Sequence, residues 1–104
     1  MAPHITYFKI LANPGERQKV IEHFDRWANQ RRHHASGFIR MLLCSDLKNP
    51  DSFMAYAMFA DKATYDANSN HPEQDEWFQQ LRALLAEDPV WFDGHVELQR
   101  MGQV

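Results

Sequence analysis

Hydrophobic residues change their spacing along this chain, and each change marks an element. Alternation from His4 to Leu11 predicts a first strand, which the turn cluster Ala12-Asn13-Pro14-Gly15 ends. Val20, Ile21, Phe24, Trp27 and Ala28 then recur at steps of three and four, with charged residues between them. That period predicts an amphipathic helix over about residues 15–34. Ala35-Ser36-Gly37 stops it, Gly37 suiting the left-handed residue just past a helix end. Phe38 to Ser45 reads as a second strand, and the connection Asp46 to Asp51 is too short for a crossover helix. The second and third strands should therefore pair antiparallel.

The third strand is the run Ser52 to Ala60, apolar on both alternating faces. Phe53, Ala55, Ala57 and Phe59 look one way and Met54, Tyr56 and Met58 the other. Asp61 caps a short helix bearing Ala63, Tyr65 and Ala67, which Asn68-Ser69-Asn70 interrupts. Asn70 is positioned to cap the next helix, with Pro72 in its first turn, Glu73 at the capping-box position and Asp75 and Glu76 favouring its start. Its stripe is Trp77, Phe78, Leu81, Leu84 and Leu85, and Pro89 ends it. Trp91 to Met101 reads as a last strand, bent near Gly94.

Strand, helix, strand, strand, helix, strand is the α+β, ferredoxin-like split βαβ plan: a four-stranded antiparallel sheet with its helices on one face, in a single domain over residues 1–104. The helices cover one sheet face only, so the second apolar face of the third strand calls for another copy of the chain, a homodimer.

Composition narrows the function. An apolar share of 44% gives a core without staples, and the single cysteine, Cys44, reads as a small hydrophobe inside an apolar strand rather than a reactive thiol. It forms no internal disulfide and fits a cytoplasmic address. No secretory leader pattern and no apolar span of about 18 residues is visible, so no membrane association is expected. A net charge of -3 argues against a nucleic-acid surface. The basic run Arg31-Arg32-His33-His34 falls in the last turn of the predicted helix, where cations complement the helix dipole.

No strong catalytic motif is present: no glycine-rich phosphate loop, His-Glu-x-x-His, Gly-x-Ser-x-Gly or Cys-x-x-Cys. His33 and His34 are helix neighbours pointing about 100° apart, wrong for one metal. His95 and Glu97 share a strand face, as a metal site or acid/base pair or as an ion pair or solvated polar stripe, and His4 could lie on the adjacent strand. His71 precedes Pro72 and so projects from a helix junction, where it either lines a cleft or caps the helix. Tyr65 and Trp77 flank it as aromatic wall or as core.

The block Phe59-Ala60-Asp61-Lys62-Ala63-Thr64-Tyr65, followed by Asn70-His71-Pro72 and the Trp77 to Leu85 helix, with Gly37-Phe38 opening the second strand, resembles the antibiotic biosynthesis monooxygenase family of the dimeric α+β barrel superfamily. The similarity runs from about Ile5 to Leu98. It implies a homodimer whose two sheets form a barrel, with a pocket in each subunit between sheet and helices. Members include small oxygenases that oxidise aromatic, phenolic or quinol-type metabolites without metal or flavin, the substrate itself activating oxygen. Haem-degrading relatives use an Asn on the first strand, a Trp ending the third and a His on the second helix. Here those places hold Phe8, Phe59 and the histidine-free Trp77-Phe78-Gln79, so haem degradation is not implied. For the cofactor-free route, His71 is the candidate base, with Tyr65 or Asn70 as hydrogen-bond partner. Phe8, Phe59, Asn70, Trp77, Phe78, Leu81 and Trp91 are the candidate substrate contacts. A noncatalytic ligand-binding or stress-response module on the same fold is the alternative.

Overall fold

Four antiparallel strands and three helices follow in the expected order in the computed structural model, which describes residues 2–102. They are β1 (His4–Leu11), α1 (Arg17–Gln30), β2 (Phe38–Ser45), β3 (Ser52–Phe59), α2 (Lys62–Ser69), α3 (Pro72–Arg82) and β4 (Val90–His95). The strand order is β2-β3-β1-β4, which places the first strand centrally between the third and the last. This is the ferredoxin-like plan, and it folds the described residues around one core. Ile10, Val20, Phe59 and Leu81 are its largest fully buried side chains.

Register decides which residues meet. Tyr7 lies opposite Tyr56 on one side and Phe92 on the other, so the face away from the helices carries an aromatic row. Ring centroids are 5.5 Å apart for Tyr7 and Tyr56, and 4.6 Å for the stacked Tyr7 and Phe92. A Cβ at Gly94 would come within 2.9 Å of the Phe92 ring, so the glycine makes room for that stack. The helix-facing side of β1 carries His4, Thr6, Phe8 and Ile10, all buried.

Gly37 has φ +79°, the left-handed conformation glycine adopts without strain, and its carbonyl accepts from the Ala60 amide at 2.7 Å. A Cβ here would lie 2.5 Å from the Thr64 hydroxyl oxygen. The two sequence marks Gly37-Phe38 and Phe59-Ala60-Asp61 are therefore halves of one joint.

Several boundaries differ from expectation. α1 stops at Gln30 rather than near residue 34, because Arg31 turns inward. Its guanidinium donates to Glu73 at 3.1 Å and to Asn68 at 2.9 Å, tying α1 to the other two helices. The basic run thus begins at the C-cap of α1 and lies beyond the helix, not in its last turn. The N-cap of α3 is His71, not Asn70, which is instead the C-cap of α2. α3 closes at Arg82, leaving Leu85 to bridge Ala12. β4 ends at His95 rather than Met101: the Val96 amide still donates to the Pro3 carbonyl, and beyond it the described part of β1 supplies no ladder partner. Cys44, expected buried, is exposed because β2 turns it toward the face that no helix covers.

Candidate functional site

A cavity of about 360 Å³ lies between the sheet and the helices. Its size falls within the range of small-molecule binding pockets. Phe8 and Trp91, paired across β1 and β4, form one wall with ring centroids 4.1 Å apart, and Phe78 of α3 leans on Trp91 at 5.6 Å. Phe24 and Trp77 make an edge-to-face pair at 5.1 Å on the helix side, and Phe59 closes the chamber from β3. Trp91 is 45% exposed, so this wall reaches the surface.

The helix wall is held rigid by reciprocal bonds. His23 and Trp77 stack at 4.7 Å, the indole N–H donating to the His23 carbonyl at 3.1 Å and His23 Nε2 donating to the Trp77 carbonyl at 2.8 Å. Burial lowers the His23 pKa, opposed by its bond to that carbonyl and assisted by Arg26, so the ring is held neutral. Trp27, also in the lining, donates to Gln74 at 2.6 Å.

Polar groups enter from α2, the start of α3 and the facing strands. Thr6, Tyr65, Ser69 and Asp93 gather at one place in the lining. Tyr65 arrives there because α2 starts where a capping box starts it: the Thr64 amide donates to the Asp61 carboxylate at 2.9 Å, and the Asp61 amide to the Thr64 hydroxyl at 3.4 Å. The first of these bonds holds the Asp61 carboxyl below its ordinary pKa. Burial raises the Tyr65 pKa, against lowering bonds from Thr6 and Ser69, so its phenol stays a hydrogen-bond donor at neutral pH. Behind it, His4 stacks on the Tyr65 ring at 4.3 Å and bonds Asp93. Among the described residues, no three His, Cys, Asp or Glu side chains converge as metal ligands would.

The cavity brings together Tyr65, Phe8, Phe59, Trp77, Phe78 and Trp91 from the residues singled out by sequence. Leu81 is wholly buried in the core outside the lining, and Asn70 is exposed at the end of α2. His71 stands outside the cavity as well. Its Nδ1 accepts from the Glu73 amide at 3.1 Å, so the ring is spent on starting α3 and is exposed to solvent. The polar cluster around Asp93 was not anticipated. Its trace in the sequence is two buried polar residues on β1, His4 and Thr6, where alternation otherwise demands apolar ones, with Asp93 opposite Thr6 on β4 and half exposed.

Residues 3–80 match the family described as antibiotic biosynthesis monooxygenase. Among solved structures, the chain is similar to a variant of SnoaB, a cofactor-independent oxygenase from Streptomyces nogalater, with TM-score 0.78, 18% identity and 97% of each chain covered. It is similar to a conserved protein from Methanosarcina mazei, with TM-score 0.80, 16% identity and 90% and 92% of the two chains covered. A protein of unknown function from Nitrosomonas europaea aligns with TM-score 0.78 and 16% identity over 100% of this chain and 98% of the other. At these identities the likeness establishes the fold. No curated protein sequence matches the chain.

Proposed function

Given that the chain belongs to the antibiotic biosynthesis monooxygenase family, we propose that its cavity binds a phenolic or quinol-type aromatic metabolite and oxygenates it with O2, without metal or flavin. The observation that carries this reading is a chamber of aromatic walls with a hydrogen-bonding cluster at one place, centred on Tyr65. An ionised ring hydroxyl makes the substrate electron-rich enough to reduce O2. A ring methylene then becomes a carbonyl, one oxygen atom entering the product and the other leaving as water with the two methylene hydrogens. Aromatic walls orient the flat substrate and exclude water from the reactive intermediate. Tyr65, kept protonated, donates to the developing oxyanion.

Oxygen uptake by protein freed of metal and flavin tests this, over a panel of quinols and anthrone-like phenols. Uptake above the protein-free rate is expected. Saturable quenching of the lining tryptophans with no uptake across the panel would replace the enzyme by a ligand-binding module.

The reading includes a homodimer joined through the sheet face opposite the helices. Tyr7, Tyr56 and Phe92 form a contiguous aromatic row there, flanked by the half-exposed Leu42. Such a patch favours burial against a second copy by about 25 cal/mol per Å², before association costs. Among the described residues, no helix is long and apolar enough to cross a membrane.

A further inference from the structure

We propose that Asp93 is the proton acceptor of this site and that His4 is the positioning residue that aims it, an assignment that rests on the phenol-binding reading above. His4 is 3% exposed, yet it is a polar ring in the middle of the sheet. Its Nε2 lies 3.2 Å from the nearer carboxylate oxygen of Asp93, while its Nδ1 is buried with no partner. A proton on Nδ1 would be a buried donor without an acceptor, so the neutral ring carries its proton on Nε2 and donates it to an anionic Asp93. The ring cannot swing away: Tyr65 is stacked on its face at 4.3 Å and His95 meets it edge-on at 6.2 Å. One carboxylate oxygen of Asp93 is thereby fixed; the carboxylate also bonds the Tyr65 hydroxyl and is 47% exposed, so a ligand hydroxyl in the cavity reaches it beside Tyr65.

The groups facing Asp93 are His4 from β1, Tyr65 and Lys62 from α2, and His95 on its own strand. Lys62 is paired at 2.6 Å with Asp66, outside the chamber. A ligand hydroxyl at this place donates to Asp93 and accepts from Tyr65. Its O–H bond breaks as an O–H bond forms on Asp93, leaving a phenolate held by the Tyr65 hydroxyl, which passes an electron to O2. Tyr65 touches the same oxygen, so acid and base roles are divided between neighbours.

The test uses 2-naphthol, whose excited state gives up its proton only to an acceptor in contact with its hydroxyl and then emits at the longer wavelength of the naphtholate. Bound to the wild type it should show naphtholate emission. Bound to Asp93→Asn it should show naphthol emission, with tryptophan quenching reporting that the variant is folded and still binds. On a substrate of the panel, Asp93→Asn should lower kcat by about 10²-fold or more, with KM changed little. His4→Phe should lose most of the naphtholate emission while still binding 2-naphthol, and His4→Gln, which keeps a donor, should restore it in part. A lower kcat in His4→Phe with naphtholate emission unchanged overturns the role of His4. Absence of Asp93-dependent naphtholate emission overturns the proposal as a whole. If that emission is present while the wild type takes up no oxygen, the acceptor stands and the oxygenase reading falls.

Discussion

The two faces of the sheet are drawn from alternate residues of the same strands, and they differ in what lies over them. On the helix side Ile10 is 1% exposed, and Phe53, Ala55 and Phe59 of β3 are likewise buried. On the other side Leu42 is 52% and Phe92 51% exposed. Hydrophobicity does not separate the two sets, since β3 is apolar on both. The comparison teaches that burial in this chain is assigned by the helices. They also leave a gap, and that gap is the cavity. The inner face is thus both the core and the site, whereas the outer face has only a surface to offer.

The largest expected difference between the faces is in stability. Leu81→Ala, in the fully buried stripe of α3, should cost about 2–5 kcal/mol, while Leu42→Ala on the open face costs well under that, read as urea midpoints of the isolated variants. Equal losses would mean that the outer face is as tightly packed as the inner one. Next is association. Phe92→Lys should weaken self-association by about 30-fold or more, the loss of one aromatic hot spot, without unfolding the chain. Sedimentation of wild type and variant at micromolar concentration checks it, and a wild type that sediments as a 12.2 kDa monomer would sink the homodimer.

The smallest effect is a dependence on pH. His23 is buried between α1 and α3 with its pKa lowered, so the folded protein binds fewer protons than the unfolded chain below the ordinary histidine value of about 6.5. Its share of stability is complete above that value and is lost as pH falls toward the lowered one. His23→Phe should be less stable than wild type at pH 7, and the gap should narrow at pH 5. A gap that widens on acidification would contradict the neutral, sealed inner layer.

Alternation made β1 and β2 legible to the residue and β3 to within one, because each strand is bounded by turn signals even where His4 and Thr6 interrupt the apolar row of β1. The aromatic walls were legible as well: Phe8, Phe59, Trp77 and Phe78 lie on apolar stripes that must face each other. What pattern could not show is where partners far apart in sequence meet. Arg31 reads as one more exposed cation at a helix end, until Glu73 and Asn68 are placed beside it and draw it inward. By residue type Asn70 is the better local cap, yet α2 takes it as its C-cap, and His71 is left to start α3. The pairing of His4 with Asp93 requires the β1–β4 register, which no local spacing encodes.

That pairing spans 89 residues, whereas the β2–β3 hairpin closes over the short turn from Asp46 to Asp51. Contacts between distant parts of a chain carry the larger loop-closure entropy and come late in folding. The hairpin can therefore form before β4 docks on β1, but the wall that Trp91 shares with Phe8 cannot. His4 and Asp93 meet only at that last docking. A chain in which β4 has not yet docked lacks both Trp91, half of one cavity wall, and the Asp93 that His4 meets, so the chamber and its polar cluster are completed in a single step.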